Sequence, residues 1–377
     1  MILKEKQIPV LPYPVYNFFI NINNGCNLRC SYCWYNATNN PTPFEEMSKQ
    51  DFVQALSVIK ESIILWKKNN HFFAYSKVKV AIATKEPLLS FNTLIKPVLD
   101  EFEFQDYFDI FLLTNGTLLT KEIIDWALDK NIVIQTSLDG CEKSHNTNRQ
   151  FHSKIVENLK LIPNPKKNLF LVSTLDKNTI PYVKENLEFF KNNFSNTLIK
   201  FNFNIFNHWE DEDWNEVFKQ YKSFIEENEI NDLNFLGIYK KTPMFIDEGR
   251  GYIIGIDRLG HITIKKPFHS SIPKLEKNQK LLDSFNFGNI YNINYEDWIR
   301  YYQIMGRDFS KTRFENINGK CSNCEEKKYC FNCDYASLKT VYYLNDDECR
   351  LKIFKRKIEK MLNEKEKKNV DNDHSRI

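Results

Sequence analysis

The sequence predicts an α/β protein, a partial (β/α)6 TIM-like barrel with a small C-terminal cysteine-rich module. Two observations carry this. From Val15 to about Phe206, extended apolar runs alternate with segments of helical periodicity, the pattern of a parallel sheet covered by helices. Eight of the nine cysteines fall in two tight groups, one just after the first apolar run and one near the C-terminus. At 377 residues with 42% hydrophobic side chains, the chain can bury one large core and still leave residues for an appended unit.

Six strands are expected, at Val15–Ile22, Val78–Ala83, Phe108–Thr114, Ile132–Leu138, Leu169–Leu175 and Ile199–Phe206. Between the first two, Ser48 and Asp51 suit a helix N-terminus, and Phe52, Leu56, Ile59 and Ile63 recur at helical spacing, which predicts a core-facing helix. After the polar run His208–Asp213, a helical segment to about Asn228 leads into the Gly- and Pro-containing stretch Leu236–Pro273, read as a bridge between domains. Leu351–Lys368 reads as a solvated charged helix before a polar tail. The expected organisation is an N-terminal extension (1–14), a core (15–208), a bridging region (209–285), a cysteine module (286–350) and a charged helix with tail (351–377).

Charge and hydropathy exclude some partners. Fifty-two basic against forty-nine acidic residues leave a net charge of +3, too small for a phosphate-tracking surface, so no nucleic-acid partner is expected. No stretch is apolar for long enough to cross a bilayer, and Met1–Pro14 lacks the apolar centre of a signal peptide. A cytoplasmic protein without a membrane partner follows. In that reducing compartment, grouped cysteines bind metal rather than form a disulfide scaffold.

The first group comprises Cys26, Cys30 and Cys33, in a loop directly after the first strand. Parallel α/β folds place their chemistry at that end of the strands. Three thiolates at this spacing can wrap one four-iron cubane but supply one ligand fewer than it requires. The open iron suits a small molecule that chelates it and takes an electron, as S-adenosylmethionine (SAM) does. The competing readings are a zinc site or buried thiols.

The motif resembles the radical SAM superfamily, whose three cysteines with an aromatic before the last are matched by Cys26, Cys30, Tyr32 and Cys33. The resemblance runs from about Val15 to Arg350, and it implies a [4Fe-4S] cluster that binds SAM. Tyr32 would contact the adenine through its backbone. After the second strand the family carries two glycines, an acid and a proline; here Thr84-Lys85-Glu86-Pro87 keeps the acid and proline and replaces the glycines. Glu86 and Lys85 would then border the SAM amino group, with side chains where glycine normally lets backbone approach. Thr114-Asn115-Gly116 and Ser137-Leu138-Asp139-Gly140, then His145 and Arg149, resemble landmarks of the peptide-modifying branch. By that resemblance Ser137 would bind the ribose or carboxylate of SAM, Arg149 the carboxylate, and Ile205 would lie against the adenine.

The second group has two pairs, Cys321 with Cys324 and Cys330 with Cys333, followed by Cys349. On spacing alone, a zinc knuckle on the first four remains open. The group resembles the SPASM extension of peptide-modifying radical SAM enzymes, led in by Phe287-Gly288-Asn289-Ile290. That implies one auxiliary [4Fe-4S] cluster on Cys321, Cys324, Cys330 and Cys349. Cys333 would serve a second cluster in the family, but Gly251–Pro273, with its hairpin-like Ile256–His261, contains no cysteine to complete it. The same stretch lacks the Cys-Asp pair of sulfatase-maturating relatives, which disfavours formylglycine synthesis. Cys141, with no cysteine neighbour, reads as an incidental thiol.

The function so implied is oxidation or cross-linking of a side chain in a ribosomally made peptide or protein by a 5′-deoxyadenosyl radical. A flavodoxin- or ferredoxin-type donor would supply the electrons. A radical SAM dehydrogenase of a small molecule and a non-catalytic binding protein with structural metal are the alternatives. No catalytic acid or base is assigned, because hydrogen-atom abstraction needs none at a fixed motif. The segment before the first strand is expected to be too short for a separate leader-binding domain.

Overall fold

Apolar runs that are buried on both faces need a neighbour on each edge, and the chain supplies them in sequence order. A computed structural model describes residues 18–33, 43–68, 77–83, 85–204, 209–229, 232–233, 236, 254–264, 286–293 and 347–374. The predicted runs form β1 (Phe18–Asn21), β2 (Val78–Ala83), β3 (Phe108–Thr114), β4 (Val133–Ser137), β5 (Leu169–Leu175) and β6 (Leu198–Phe203), each parallel to the next. Helices on the chain are α1 (Lys49–Lys68), α2 (Lys96–Glu101), α3 (Lys121–Asp129), α4 (Glu142–Asn148), α5 (His152–Lys160), α6 (Pro165–Asn168), α7 (Val183–Phe194), α8 (Asp211–Glu227) and α9 (Asp347–His374).

The sheet does not end at β1. Its order is β6-β5-β4-β3-β2-β1-β7-β8-β9, with β7 (Ile254–Ile256) parallel to β1, and β8 (His261–Ile264) and β9 (Asn286–Asn289) antiparallel beyond it. The expected hairpin at 256–261 therefore exists, but it extends the main sheet. Phe18 and Ile20 of β1 show the reason: both are fully buried, and each pairs on two sides, Phe18 with Val80 and Ile254, Ile20 with Ile82 and Ile256. β1 is thus an interior strand.

Helix α1 begins as its sequence dictates. The Ser48 hydroxyl accepts from the Asp51 backbone N–H at 3.0 Å, satisfying one of the donors that a helix start leaves unpaired. Its stripe of Phe52, Leu56, Ile59 and Ile63 is buried in the core, each side chain worth about 2 kcal/mol in transfer free energy.

Helix α9 differs from its expected solvated state. Phe354, Ile358 and Leu362 recur every fourth residue and are buried, giving the helix a narrow apolar face. Phe354 packs edge-on against Phe203 (5.3 Å between centroids) and Tyr221 (5.2 Å) and lies 6.1 Å from Trp214, while Phe203 in turn meets Trp209 and Trp214. Arg350 fixes the start of the helix, donating to the Trp209 carbonyl at 2.7 Å and pairing with Asp211 at 3.0 Å. The charge of the segment had masked that stripe. Among the described residues, no helix is long and apolar enough to cross a membrane.

Candidate cluster and SAM site

Because β1 to β6 run parallel, their carboxyl ends share one rim, and the loops leaving that rim meet around the first cysteine group. The loop after β1 is pinned from its first residue. Buried Asn23 donates to the Glu86 carbonyl (3.2 Å) and the Ser90 hydroxyl (2.9 Å), while its Oδ1 accepts from the Gly25 N–H (3.0 Å). The Glu86 N–H donates to the Gly25 carbonyl at 2.9 Å. A Cβ on Gly25 would stand 2.6 Å from the Phe44 ring, so only glycine fits there without displacing that ring.

Cys26, Cys30 and Cys33 follow. Leu28 anchors the loop in the core, and the Cys33 N–H closes a turn onto the Cys30 carbonyl at 3.0 Å. Ser31 ties it to α4, its N–H meeting the Asn148 carbonyl at 2.9 Å and its hydroxyl the Asn148 side chain at 2.6 Å. N–H donors address the sulfurs: Leu28 N lies 3.4 Å and Asn115 Nδ2 4.0 Å from Cys26 Sγ, and Arg149 Nη1 3.7 Å from Cys30 Sγ. Burial raises the Cys26 and Cys30 thiols; the hydrogen bond from Leu28 opposes this at Cys26, and Arg149 opposes it at Cys30. Donors aimed at sulfur are what thiolates need when they carry an iron–sulfur cluster, so the donor set fits that group. Among the described residues, no three His, Cys, Asp or Glu side chains converge tightly enough for a single metal ion. A four-iron cubane is a wider object and spreads its thiolates.

Glu86 is fully buried and brackets two loops. Its Oε1 accepts from the Leu88 N–H (3.0 Å) and the Thr114 hydroxyl (2.8 Å), its Oε2 from the Asn115 N–H (2.7 Å). Burial pushes its pKa up to about 7, against the pull of these three donors. Its side chain thus holds the rim together, and its backbone borders the cysteine loop. Lys85 adopts φ +51, so the residue in place of glycine keeps glycine's left-handed backbone and adds a partly buried cation. Burial lowers its pKa, with Cys26 and Cys33 opposing. Thr84 lies outside the described residues.

The loop after β4 supplies Asp139, which the sequence marks only as part of a family landmark. Its buried carboxylate accepts from the Thr174 N–H (2.9 Å), the Tyr32 hydroxyl (2.5 Å) and Arg149 Nε (2.9 Å). Arg149 also lies over the Tyr32 ring, 5.1 Å from its centroid. Burial works against the charge of Arg149, but Asp139, then Tyr32 and Cys30, outweigh it and move its pKa up. Burial likewise raises Tyr32 well above its ordinary value. His145 braces this arrangement. Its Nδ1 accepts from the Asp139 N–H at 3.2 Å, and its Nε2 lies 3.1 Å from the Gln150 carbonyl, which fixes the neutral tautomer with the proton on Nε2. Burial depresses its pKa to about 4. The backbone beyond Arg149 is unusual, with φ of +152 at Gln150 and +62 at Phe151.

Of the other expected site residues, Ser137 is partly buried at the end of β4, two residues before Asp139. Ile205 lies outside the described residues. So do Cys321, Cys324, Cys330 and Cys333; the backbone of Cys349 is in α9. Cys141 has its sulfur 3.8 Å from Glu185 Oε2. An acid beside a glycine after a strand was the available signal for Asp139.

Comparison with known proteins gives four findings. The model of the radical SAM superfamily matches residues 20–220. A radical SAM cyclopropyl synthase, TigE of Paramaledivibacter caminithermalis, is 26% identical over 185 residues, 46% of this chain and 38% of the synthase. A cysteine-type anaerobic sulfatase-maturating enzyme of Clostridium perfringens is 20% identical over 336 residues, 82% of this chain and 85% of that one. The chain thus spans well under half of the synthase. In fold, it is similar to native anSMEcpe solved with bound AdoMet and Cp18Cys peptide, with a TM-score of 0.56 over 84% of this chain and 88% of that chain at 17% identity.

Proposed function

The chain belongs to the radical SAM superfamily, and from that premise we propose that it modifies a peptide, oxidising or cross-linking one of its side chains. The observation that carries the radical chemistry is the placement of Cys26, Cys30 and Cys33 in one loop at the carboxyl end of an interior strand, with N–H donors directed at Cys26 and Cys30. Membership implies SAM and a [4Fe-4S] cluster, and such a cluster would supply the one electron that reductively cleaves SAM into methionine and a 5′-deoxyadenosyl radical.

The residues of the chain orient and enclose. Cys26, Cys30 and Cys33 would hold three irons. The Glu86 bracket fixes the loops after β2 and β3 against the cysteine loop, so the rim is set before ligand arrives. Lys85, Glu86, Ser137 and Arg149 would serve as the SAM contacts, and by the family resemblance Tyr32 and Ile205 would face the adenine. The second cysteine group would hold one auxiliary [4Fe-4S] cluster, taking the electron that an oxidation leaves behind. The peptide substrate is supported by the sulfatase-maturating relative and by the peptide-bound structure of similar fold. A small one-electron donor protein and a cytoplasmic setting complete the reading.

Its test is anaerobic. Reconstituted protein reduced with dithionite should convert SAM to 5′-deoxyadenosine, and the C26A/C30A/C33A variant should not. Candidate peptides encoded beside the gene, with deuterium at their side chains, should then pass deuterium into 5′-deoxyadenosine. No SAM cleavage by iron-loaded wild type would end the radical reading; cleavage without deuterium transfer from any such peptide would end the peptide reading.

A further inference from the structure

Arg149 reaches two partners of like charge at once. Its Nε meets the Asp139 carboxylate at 2.9 Å, and its Nη1 lies 3.7 Å from Cys30 Sγ. Both are buried: the Asp139 side chain has no exposure, the Arg149 side chain 12%, and Cys30 only 7%. A charge–charge interaction is several-fold stronger here than in water. The arrangement is also held in place. Tyr32 and Thr174 fix the Asp139 carboxylate, and His145 joins the Asp139 backbone to the Gln150 carbonyl, so the acid and the arginine loop share one brace. Beyond Arg149 the chain continues through positive φ at Gln150 and Phe151.

A cluster that accepts an electron gains negative charge, part of which spreads onto its thiolate sulfurs. A cation donating toward one sulfur stabilises the reduced state, and an anion paired with that cation takes some of the stabilisation back. We propose that Asp139 and Arg149 form a charge couple that sets the reduction potential of the SAM-binding cluster through Cys30, Arg149 raising it and Asp139 restraining the rise. This rests on the assignment of Cys26, Cys30 and Cys33 to the cluster. It gives Arg149 a task present before SAM binds, separate from any contact with the SAM carboxylate.

The reaction tested is the one-electron reduction of the oxidised cluster by a mediator, with no bond made or broken. Wild type, R149Q, R149K and D139N are reconstituted anaerobically and titrated without SAM, each cluster being followed by electron paramagnetic resonance. The relevant signal is the one that changes when SAM is added afterwards. In R149Q the reduction equilibrium should fall at least tenfold, about 59 mV for one electron. R149K, which keeps the charge, should retain most of the wild-type value. D139N should move the midpoint the other way, a sign reversal that mere loosening of the loop would not produce. If D139N holds no cluster, the contrast of R149Q with R149K decides. An R149Q midpoint equal to that of wild type, or R149Q and D139N shifting together, overturns the proposal while leaving the cluster assignment standing. A wild type that assembles no SAM-responsive cluster overturns the assignment itself, and this proposal with it.

Discussion

The Asn115 backbone N–H donates to the Glu86 carboxylate across 2.7 Å, and by that bond the loop after β3 is fastened to the loop after β2. Leu88 and Thr114 complete the set of donors. In Glu86→Ala all three lose their acceptor in a fully buried site, and each orphaned donor costs about 1–3 kcal/mol. The variant should lose about 3 kcal/mol or more in urea unfolding of the cluster-free chain. A loss below about 1 kcal/mol would show that water replaces the carboxylate without penalty.

Two buried groups shift in opposite directions and should hide each other's pH dependence. Glu86 holds its proton up to about pH 7 when folded, against an ordinary 4.5, so its contribution to stability is full below 4.5 and is lost as pH rises to 7. His145 is depressed to about 4 from 6.5, so its contribution is present above 6.5 and is lost as pH falls toward 4. Between pH 4.5 and 6.5 the slopes oppose, each approaching about 1.4 kcal/mol per pH unit. Relative to wild type, Glu86→Gln should become less stable on acidification through this window, and His145→Asn more stable. Unfolding midpoints at half-unit steps of pH check this; parallel curves for the three proteins would contradict it.

Among the glycines of the described residues, Gly140 is where a single methyl group meets the closest obstacle. Its φ is +116, and a Cβ would stand 2.1 Å from Asn186 Oδ1, the atom that accepts from the Cys141 N–H at 2.9 Å. Gly140→Ala should cost about 2–4 kcal/mol, and adding Asn186→Ala should not recover it, because the backbone strain persists. Thermal unfolding of the single and double variants measures both. Recovery in the double variant would mean that contact, not φ, is the constraint.

Phe151 combines φ +62 with 53% exposure, so its ring gains little from burial while its backbone is strained. Phe151→Gly should raise stability by up to about 1 kcal/mol. If stability falls instead, the ring contributes more than its exposure suggests. Calorimetry distinguishes the two.

The C-terminal cysteines are tested by metal content. With two four-iron clusters, wild type should bind roughly eight irons per chain, and Cys321→Ala about four while keeping reductive cleavage of SAM. Four irons and one zinc in wild type would assign the second group to zinc.

Much of the core was legible because its signals are local. β2, β3 and β5 begin and end where their apolar runs do, and the stripe of Phe52, Leu56, Ile59 and Ile63 marks α1 directly. What escaped depends on partners distant in sequence. β7 is three residues long, too short to stand out, and is a strand because β1 on one side and β8 on the other offer it partners. The sequence marks Glu86 as a landmark acid but does not show that its carboxylate accepts from Thr114 and Asn115, close to thirty positions away and silent in any periodicity. The positive φ at Gln150 and Phe151, just past Arg149, falls where no glycine announces it. In α9 a run of lysines and glutamates concealed the spacing of Phe354, Ile358 and Leu362.

The position of β1 also orders events during synthesis. Phe18 and Ile20 pair with Val80 and Ile82 on one side and with Ile254 and Ile256 on the other. The first partner leaves the ribosome early; the second appears only after some 170 further residues have been made, judged from the numbering of Ala83 and Ile254. Until then the strand that carries the cysteine loop has one open edge. The seat of the cysteine loop is therefore fully paired only once Ile254–Ile256 have been made, and no piece of the chain that stops before them carries the finished site.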